Sequence, residues 1–245
     1  MNQFAYMDEN LLRIKARMEA AKQRSGNDDV CMLAAVKYTD VEHVNYLHRT
    51  LGVNDIGENR VQQLLERWDT LDREDLRVHF IGTLQSNKVK YIIDKVCMIH
   101  SLDSLSLAKE IEKQAAKHDI VMDVLVEINS GAEENKGGIS LADVEAFCRA
   151  LRQFEHIRLR GFMTMAPKCE KIEDYRKYFR ETSQQCIDIW QKKLDNIGRP
   201  ILSMGMSESF EIAIEEGATM VRIGRALFAE PEGGASVPNE VSQCV

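Results

Sequence analysis

Lys37 ends the apolar run CMLAAVK, and its primary amine could attack a carbonyl carbon if it were held uncharged. Period-two alternation puts Lys37 on the same face as Leu33 and Ala35, with a small residue leaving room for its stem. An amine at the low-dielectric mouth of a core is expected to lose its proton more easily. The plain alternative is a strand-end lysine reaching for water. A second feature is SMGMSESFEIAIEEG, in which a glycine turn leads to Ser207 where a helix N-cap belongs. Free N–H groups and a hydroxyl at one spot suit a phosphate, although a simple cap has the same sequence. Gly224 and Arg225 in RIGRALF open a second such turn. Arg222 alternates with Val221 and Ile223 inside a strand, so its guanidinium needs a partner, either Glu127 in an ion pair or an anion or ring nitrogen of a ligand.

The elements that must position these groups alternate regularly. The expected strands are Val30–Val36, Asp55–Gly57, Val78–Ile81, Val96–His100, Met122–Ile128, Leu159–Met163, Ile201–Met204 and Met220–Ile223. Helical periodicity falls between them, near Val41–Leu51, Arg60–Thr70, Asn87–Lys95, Ser104–His118, Leu141–Phe154, Glu173–Leu194 and Ser207–Glu216. Eight β units alternating with helices in 245 residues predict a single α/β domain, a (β/α)8 barrel of the TIM type spanning 1–230. An open doubly wound sheet competes, but its G-x-G-x-x-G turn is absent. Leu11, Ile14, Met18 and Ala21 predict an extra N-terminal helix that plugs the barrel bottom or packs on its side. Residues 231–245, rich in Pro, Gly and Ser, are expected to form a flexible tail.

In such a barrel the ligand sits at the C-terminal strand ends, and here these read Lys37, Glu58–Asn59, Gly82–Thr83, Ser101, Asn129–Ser130, Met163–Thr164, Gly205–Ser207 and Gly224–Arg225. The two glycine turns fall after the last two strands, the usual phosphate corner of the fold. A formal charge of −7 argues against nucleic acid as the main partner. The N-terminus has no apolar signal-like core, and no stretch is long enough to span a bilayer, so a cytoplasmic protein is expected. Six scattered cysteines without a CxxC pair suggest neither a disulfide framework nor a metal site.

Lys37, the GMS turn and the RIG strand, together with DIGENRVQQ, HFIGTLQSNKVK, INSGAEENKGG and GFMTMAP, resemble the pyridoxal phosphate homeostasis proteins. These are single-domain relatives of the alanine racemase N-terminal barrel, and the colinear resemblance runs from about Leu12 to Phe228. It implies pyridoxal 5′-phosphate (PLP) bound as a Schiff base on Lys37, with the phosphate on Ser207 and the backbone of Gly224 and Arg225. It further implies Arg222 at the pyridine nitrogen, Asn59 near the ring and Met163 against its face. Arg225 stands where relatives often have Thr, Val36 where they have a small hydroxylated residue, and Asp40 where proline is common.

An arginine at the ring nitrogen weakens the cofactor as an electron sink. Racemisation further needs an acid–base group opposite the lysine, which in related racemases is a tyrosine of a separate C-terminal domain. Tyr38 follows Lys37 but should point to the other face. The expectation is therefore a carrier without dedicated turnover that maintains PLP (vitamin B6) and amino-acid balance, with apo PLP-dependent enzymes as recipients, acting as a monomer or weak dimer. A PLP-dependent amino-acid racemase is the alternative, and a Schiff-base aldolase or phosphosugar isomerase a more distant one. Lys136 is one place where a second, transient PLP site could form.

Overall fold

A computed structural model describes residues 3–131, 137–192 and 199–230. Lys136 and the expected tail 231–245 lie outside the described residues. The strands are β1 (Cys31–Ala35), β2 (Asp55–Glu58), β3 (Arg77–Phe80), β4 (Met98–Leu102), β5 (Met122–Asn129), β6 (Ile139–Ser140), β7 (Ile157–Thr164), β8 (Ile201–Ser203) and β9 (Met220–Ile223). All pair in parallel, and with β6 set aside the ring closes in the order β1-β2-β3-β4-β5-β7-β8-β9 and back to β1. The eight ring strands are those expected from the sequence. The two-residue β6, which pairs with Ile128 and Asn129 at the end of β5, was not foreseen.

Side-chain alternation builds the two layers. On β1, Ala34 and Val36 face the helices in the large outer core, while Leu33 and Ala35 join Ile81, Met220 and Ile201 inside the barrel. A second interior group joins Met98, Leu125, Met163 and Ile201. The outer helices are α2 (Val41–Arg49), α3 (Val61–Arg67), α4 (Leu105–Lys117), α5 (Val144–Leu151), α6 (Tyr175–Gln191), α7 (Phe210–Glu215) and α8 (Arg225–Phe228). Asp40 caps α2 by accepting the His43 N–H at 3.0 Å. The helix expected at Asn87–Lys95 is instead a 3-10 turn over Ser86–Tyr91. Val89 and Ile92 lie three residues apart and are both fully buried, a spacing that three residues per turn satisfies.

The N-terminal helix α1 (Ala5–Ser25) packs on the barrel's side against α7 and α8 and does not plug its bottom. It buries Met7, Leu11, Ile14, Met18 and Ala21, and Asn10 donates to the carbonyls of Leu227 at 3.1 Å and Ala229 at 2.9 Å. Arg17 pairs with Glu211 at 2.6 Å, fixing α1 to α7 behind the loop that carries Ser207.

A bulge in β7 shifts its register with β5, so that Val124 faces Leu159 while Leu125 faces Gly161. Gly161 has φ 148°, and a Cβ there would fall on the carbonyl group of Ile201. Because the obstacle is backbone, the Gly161→Ala protein is expected to lose more than the ~1–3 kcal/mol typical of an overpacked core. Urea unfolding followed by circular dichroism checks this; a loss below about 1 kcal/mol would show that β8 can move aside.

Candidate functional site

The chain leaves β1 at Ala35, so Lys37 sits two residues past the strand, in a turn. That turn is tied down. Val36 N–H donates to Gly57 O at 3.1 Å, Gln63 Nε2 donates to Lys37 O at 2.9 Å, and Arg67 Nη2 donates to Thr39 O at 3.0 Å. Beneath it, Glu58 is fully buried with Arg67 Nη1 3.1 Å from its carboxylate, close enough for an ion pair but not aligned as a hydrogen bond. Burial dominates over the arginine and pushes the Glu58 carboxyl up to about 7.

Two expectations about Lys37 are corrected by this geometry. The side chain is exposed and is not enclosed by the mouth of the core. Tyr38 does not point away from it: Lys37 Nζ lies 4.5 Å from the centre of the Tyr38 ring, because strand alternation ends where the turn begins.

Asn59 follows β2, and its Oδ1 is buried without a hydrogen-bond partner among the described residues. Gly82, after β3, is packed so closely on the Asn59 backbone that a Cβ would overlap it. Across the ring, β9 lies beside β1 with Arg222 in register with Leu33. Gly224 therefore comes against Ala35, where a Cβ would be 2.9 Å from the Ala35 carbonyl oxygen. Arg222 N–H donates to Gly205 O at 3.1 Å, which joins the turns after β8 and β9.

Ser207 is not the N-cap expected of it. The helix starts three residues later at Phe210, and the Ser207 hydroxyl instead accepts the Ala226 N–H at 3.2 Å in α8. It thus bridges the two glycine turns. Gly205 has φ 88° and lies against Phe210 and Ala213, so only glycine fits that turn. Arg225 is exposed and pairs with Glu208 at 2.9 Å across the same corner. Met163 is 1% exposed and fills the barrel interior beside Met98 and Leu125, so its side chain is not at the surface of the mouth.

Arg222 is 5% exposed. Its Nη1 donates to Ser203 O at 2.6 Å and Ser203 Oγ at 2.8 Å, and its Nη2 to Thr164 O at 2.9 Å. Its Nε–H and one Nη2 hydrogen have no partner among the described residues. The considered ion pair with Glu127 is not formed, since the carboxylate acts on Arg222 only at longer range. Burial lowers the Arg222 pKa to about 10, which leaves the guanidinium cationic at neutral pH. Glu127, 8% exposed, is pushed up to about 7 by burial first and then by Asp103, against the pull of Arg222.

Sequence reading missed Gln63 and Arg67, which hold the lysine turn, the pairing of Arg67 with the strand-end Glu58, and the interior pair His79 and His100. HFIG and MIHSL place each histidine in an expected strand, but a strand histidine gives no sign of its partner. The exposed lysine, the unpaired Asn59 oxygen, the Arg222 donors and the Ser207 bridge all lie at one end of the barrel. That end offers an amine, buried polar groups and two glycine turns joined by a serine, a donor set whose chemistry suits an aldehyde-bearing aromatic phosphate.

The alanine racemase N-terminal domain profile matches residues 10–231, which sets the class of protein. The pyridoxal phosphate homeostasis protein of Aquifex aeolicus is 44% identical over 224 residues, covering 91% of this chain and 97% of its own length. PipY of Synechococcus elongatus, solved with PLP bound, superposes with a TM-score of 0.79 at 26% identity, covering 91% of this chain and 100% of PipY. Alanine racemase of Clostridium difficile superposes with a TM-score of 0.71 at 20% identity, a likeness in fold that spans 93% of this chain but 57% of the racemase. The chain belongs to the pyridoxal phosphate homeostasis protein family. No helix among the described residues is long and apolar enough to cross a membrane.

The buried Glu127 carboxyl yields a stability prediction. Its folded pKa of about 7 lies above the ordinary 4.5, so the folded state binds the proton more tightly. The contribution of this one group is then full below pH 4.5 and is lost as pH rises through 7, by at most about 3 kcal/mol. Glu127→Gln should flatten this decline in urea unfolding at pH 5 and pH 8. A variant that follows the wild-type slope would mean that Glu127 does not titrate in this window.

Proposed function

We propose that this protein binds PLP covalently through the Lys37 amine and serves to hold and release it, keeping the reactive aldehyde low and supplying apo-enzymes in the cytoplasm. The observation that carries the reading is the juxtaposition of β1 and β9. It sets a buried arginine with spare donors beside the strand that presents the lysine. When bound, PLP supplies an aldehyde that captures amines, and Lys37 is the amine this site offers. Ser207 and the Gly224–Arg225 backbone would take the phosphate. Arg222 would donate to the ring nitrogen from a fixed position, and the unpaired Asn59 oxygen would meet a polar group at the ring's edge. Met163 would support the ring only from below, as part of the interior. The name of the Aquifex relative and the PLP bound to PipY support the cofactor.

A carrier without dedicated turnover follows from the same residues. A cationic arginine donating to the ring nitrogen leaves that nitrogen without a proton of its own, which limits stabilisation of a carbanion. Racemisation needs a second acid–base group across the ring from Lys37, yet the Tyr38 ring lies against the Lys37 amine itself. The racemase alternative would have to draw that group from solvent or from a second protomer. A single barrel domain over 1–230, present as a monomer or weak dimer, is sufficient for the carrier.

Borohydride reduction of PLP-loaded protein should fix the cofactor's mass on the peptide containing Lys37, and Lys37→Ala should abolish both that mass and the visible absorbance band. Label on another peptide would move the site. Ser207→Ala should weaken PLP binding by about tenfold, as loss of one hydrogen bond to an anion does. In deuterated water with L-amino acids, Cα exchange should be negligible, and exchange within seconds would make the protein a racemase.

A further inference from the structure

Inside the barrel, a chain of polar groups crosses the core from its base to Arg222. Asp55, at the start of β2, is partly exposed and forms an ion pair with Arg77, whose Nε lies 3.0 Å from its Oδ1. Its Oδ1 is 2.9 Å from His79 Nε2. His79 Nδ1 is 3.0 Å from His100 Nε2, and His100 Nδ1 is 3.3 Å from Ser203 Oγ, the oxygen that accepts from Arg222. Both imidazoles and Ser203 are completely buried.

The proton count of this chain has one solution in which every link is satisfied and both rings are neutral. Arg222 can only donate and a carboxylate can only accept, so the two ends fix the direction. Ser203 accepts from Arg222 and donates to His100 Nδ1. His100 donates from Nε2 to His79 Nδ1, and His79 donates from Nε2 to Asp55. A proton added to His79 would reverse His100 and leave the Ser203 O–H without its acceptor. It would also place a second buried cation near Arg222. Burial, then His79, then Arg222 all hold the His100 pKa well below its ordinary value, in accord with this count.

We propose that Asp55, His79, His100 and Ser203 are positioning residues for the cofactor site, forming a one-way hydrogen-bonded chain that orients Arg222 at the barrel mouth. The inference rests on the PLP reading of that mouth. The Ser203 hydroxyl is oriented by His100, so its lone pair is committed to the guanidinium, and the direction of the chain is set at the opposite end of the barrel by Asp55. The remaining Arg222 donors then keep a constant aim. Aligned hydrogen bonds in a dry interior reinforce one another, which gives the distant carboxylate leverage on the mouth.

The test uses histidine-selective nitrogen-15 labelling of the full chain at pH 7, with signals assigned through His79→Gln and His100→Gln, and PLP as the probe ligand. The expected spectrum has both rings as neutral Nε2–H tautomers. Asp55→Asn should shift the ring nitrogens of His100 as well as those of His79, although His100 does not touch Asp55. Ser203→Ala should weaken PLP binding about tenfold and move the visible band of the loaded protein. A cationic ring or an Nδ1–H tautomer in the wild type overturns the proposal, as do unchanged PLP affinity and spectrum in Ser203→Ala. If that variant does not fold, the wild-type tautomers and the Asp55→Asn shifts decide. Failure of the wild type to bind PLP would instead remove the cofactor reading while leaving the tautomer result intact.

Discussion

A guanidinium buried at the mouth of a barrel is the constraint around which this molecule is arranged. An ionised group so placed loses several kcal/mol of hydration unless its donors find partners. Arg222 meets the requirement mainly with main-chain carbonyls, those of Ser203 and Thr164, so its partners are the neighbouring strand ends themselves. The same residue's N–H reaches Gly205 O. Correct seating of one side chain therefore requires β7, β8 and β9 to end at the right heights, and it brings the two glycine turns together as a consequence.

The opposite side of the mouth is secured by different means. The Lys37 turn has little regular structure of its own, and α3 holds it through Gln63 and Arg67. Arg67 is buried against Glu58, a carboxyl that burial pushes up to about 7. Close backbone approaches complete the rim, with Gly82 against Asn59 and Gly224 against Ala35. A side chain at either glycine would push apart backbone segments that lie in contact at this end of the barrel. The site is thus a property of strand spacing as much as of its named residues.

Interior and exterior of the barrel are chemically different cores. The exterior is a continuous apolar layer between strands and helices. The interior holds two apolar groups that share Ile201, and a line of polar groups besides. A polar line with all links satisfied specifies one arrangement, whereas an apolar filling of similar volume could settle in several.

The sequence by itself determined the eight ring strands, because alternating apolar runs of strand length leave few alternatives to a closed parallel barrel. It also determined which residues lie at the strand ends, since Lys37, Asn59, Gly205, Ser207, Gly224 and Arg225 occupy fixed offsets from those runs. It could not determine what those residues touch. Ser207 reads as a helix cap in linear order and becomes a bridge to Ala226 only once β8 and β9 are neighbours. Tyr38 reads as facing away from Lys37 and turns towards it because the strand ends early. Arg222 reads as needing either a carboxylate or a ligand, and the tertiary structure gives it carbonyls and a serine. The histidine chain was invisible for the same reason: its links join residues 21 to 103 positions apart, and only barrel closure brings such residues within hydrogen-bonding distance.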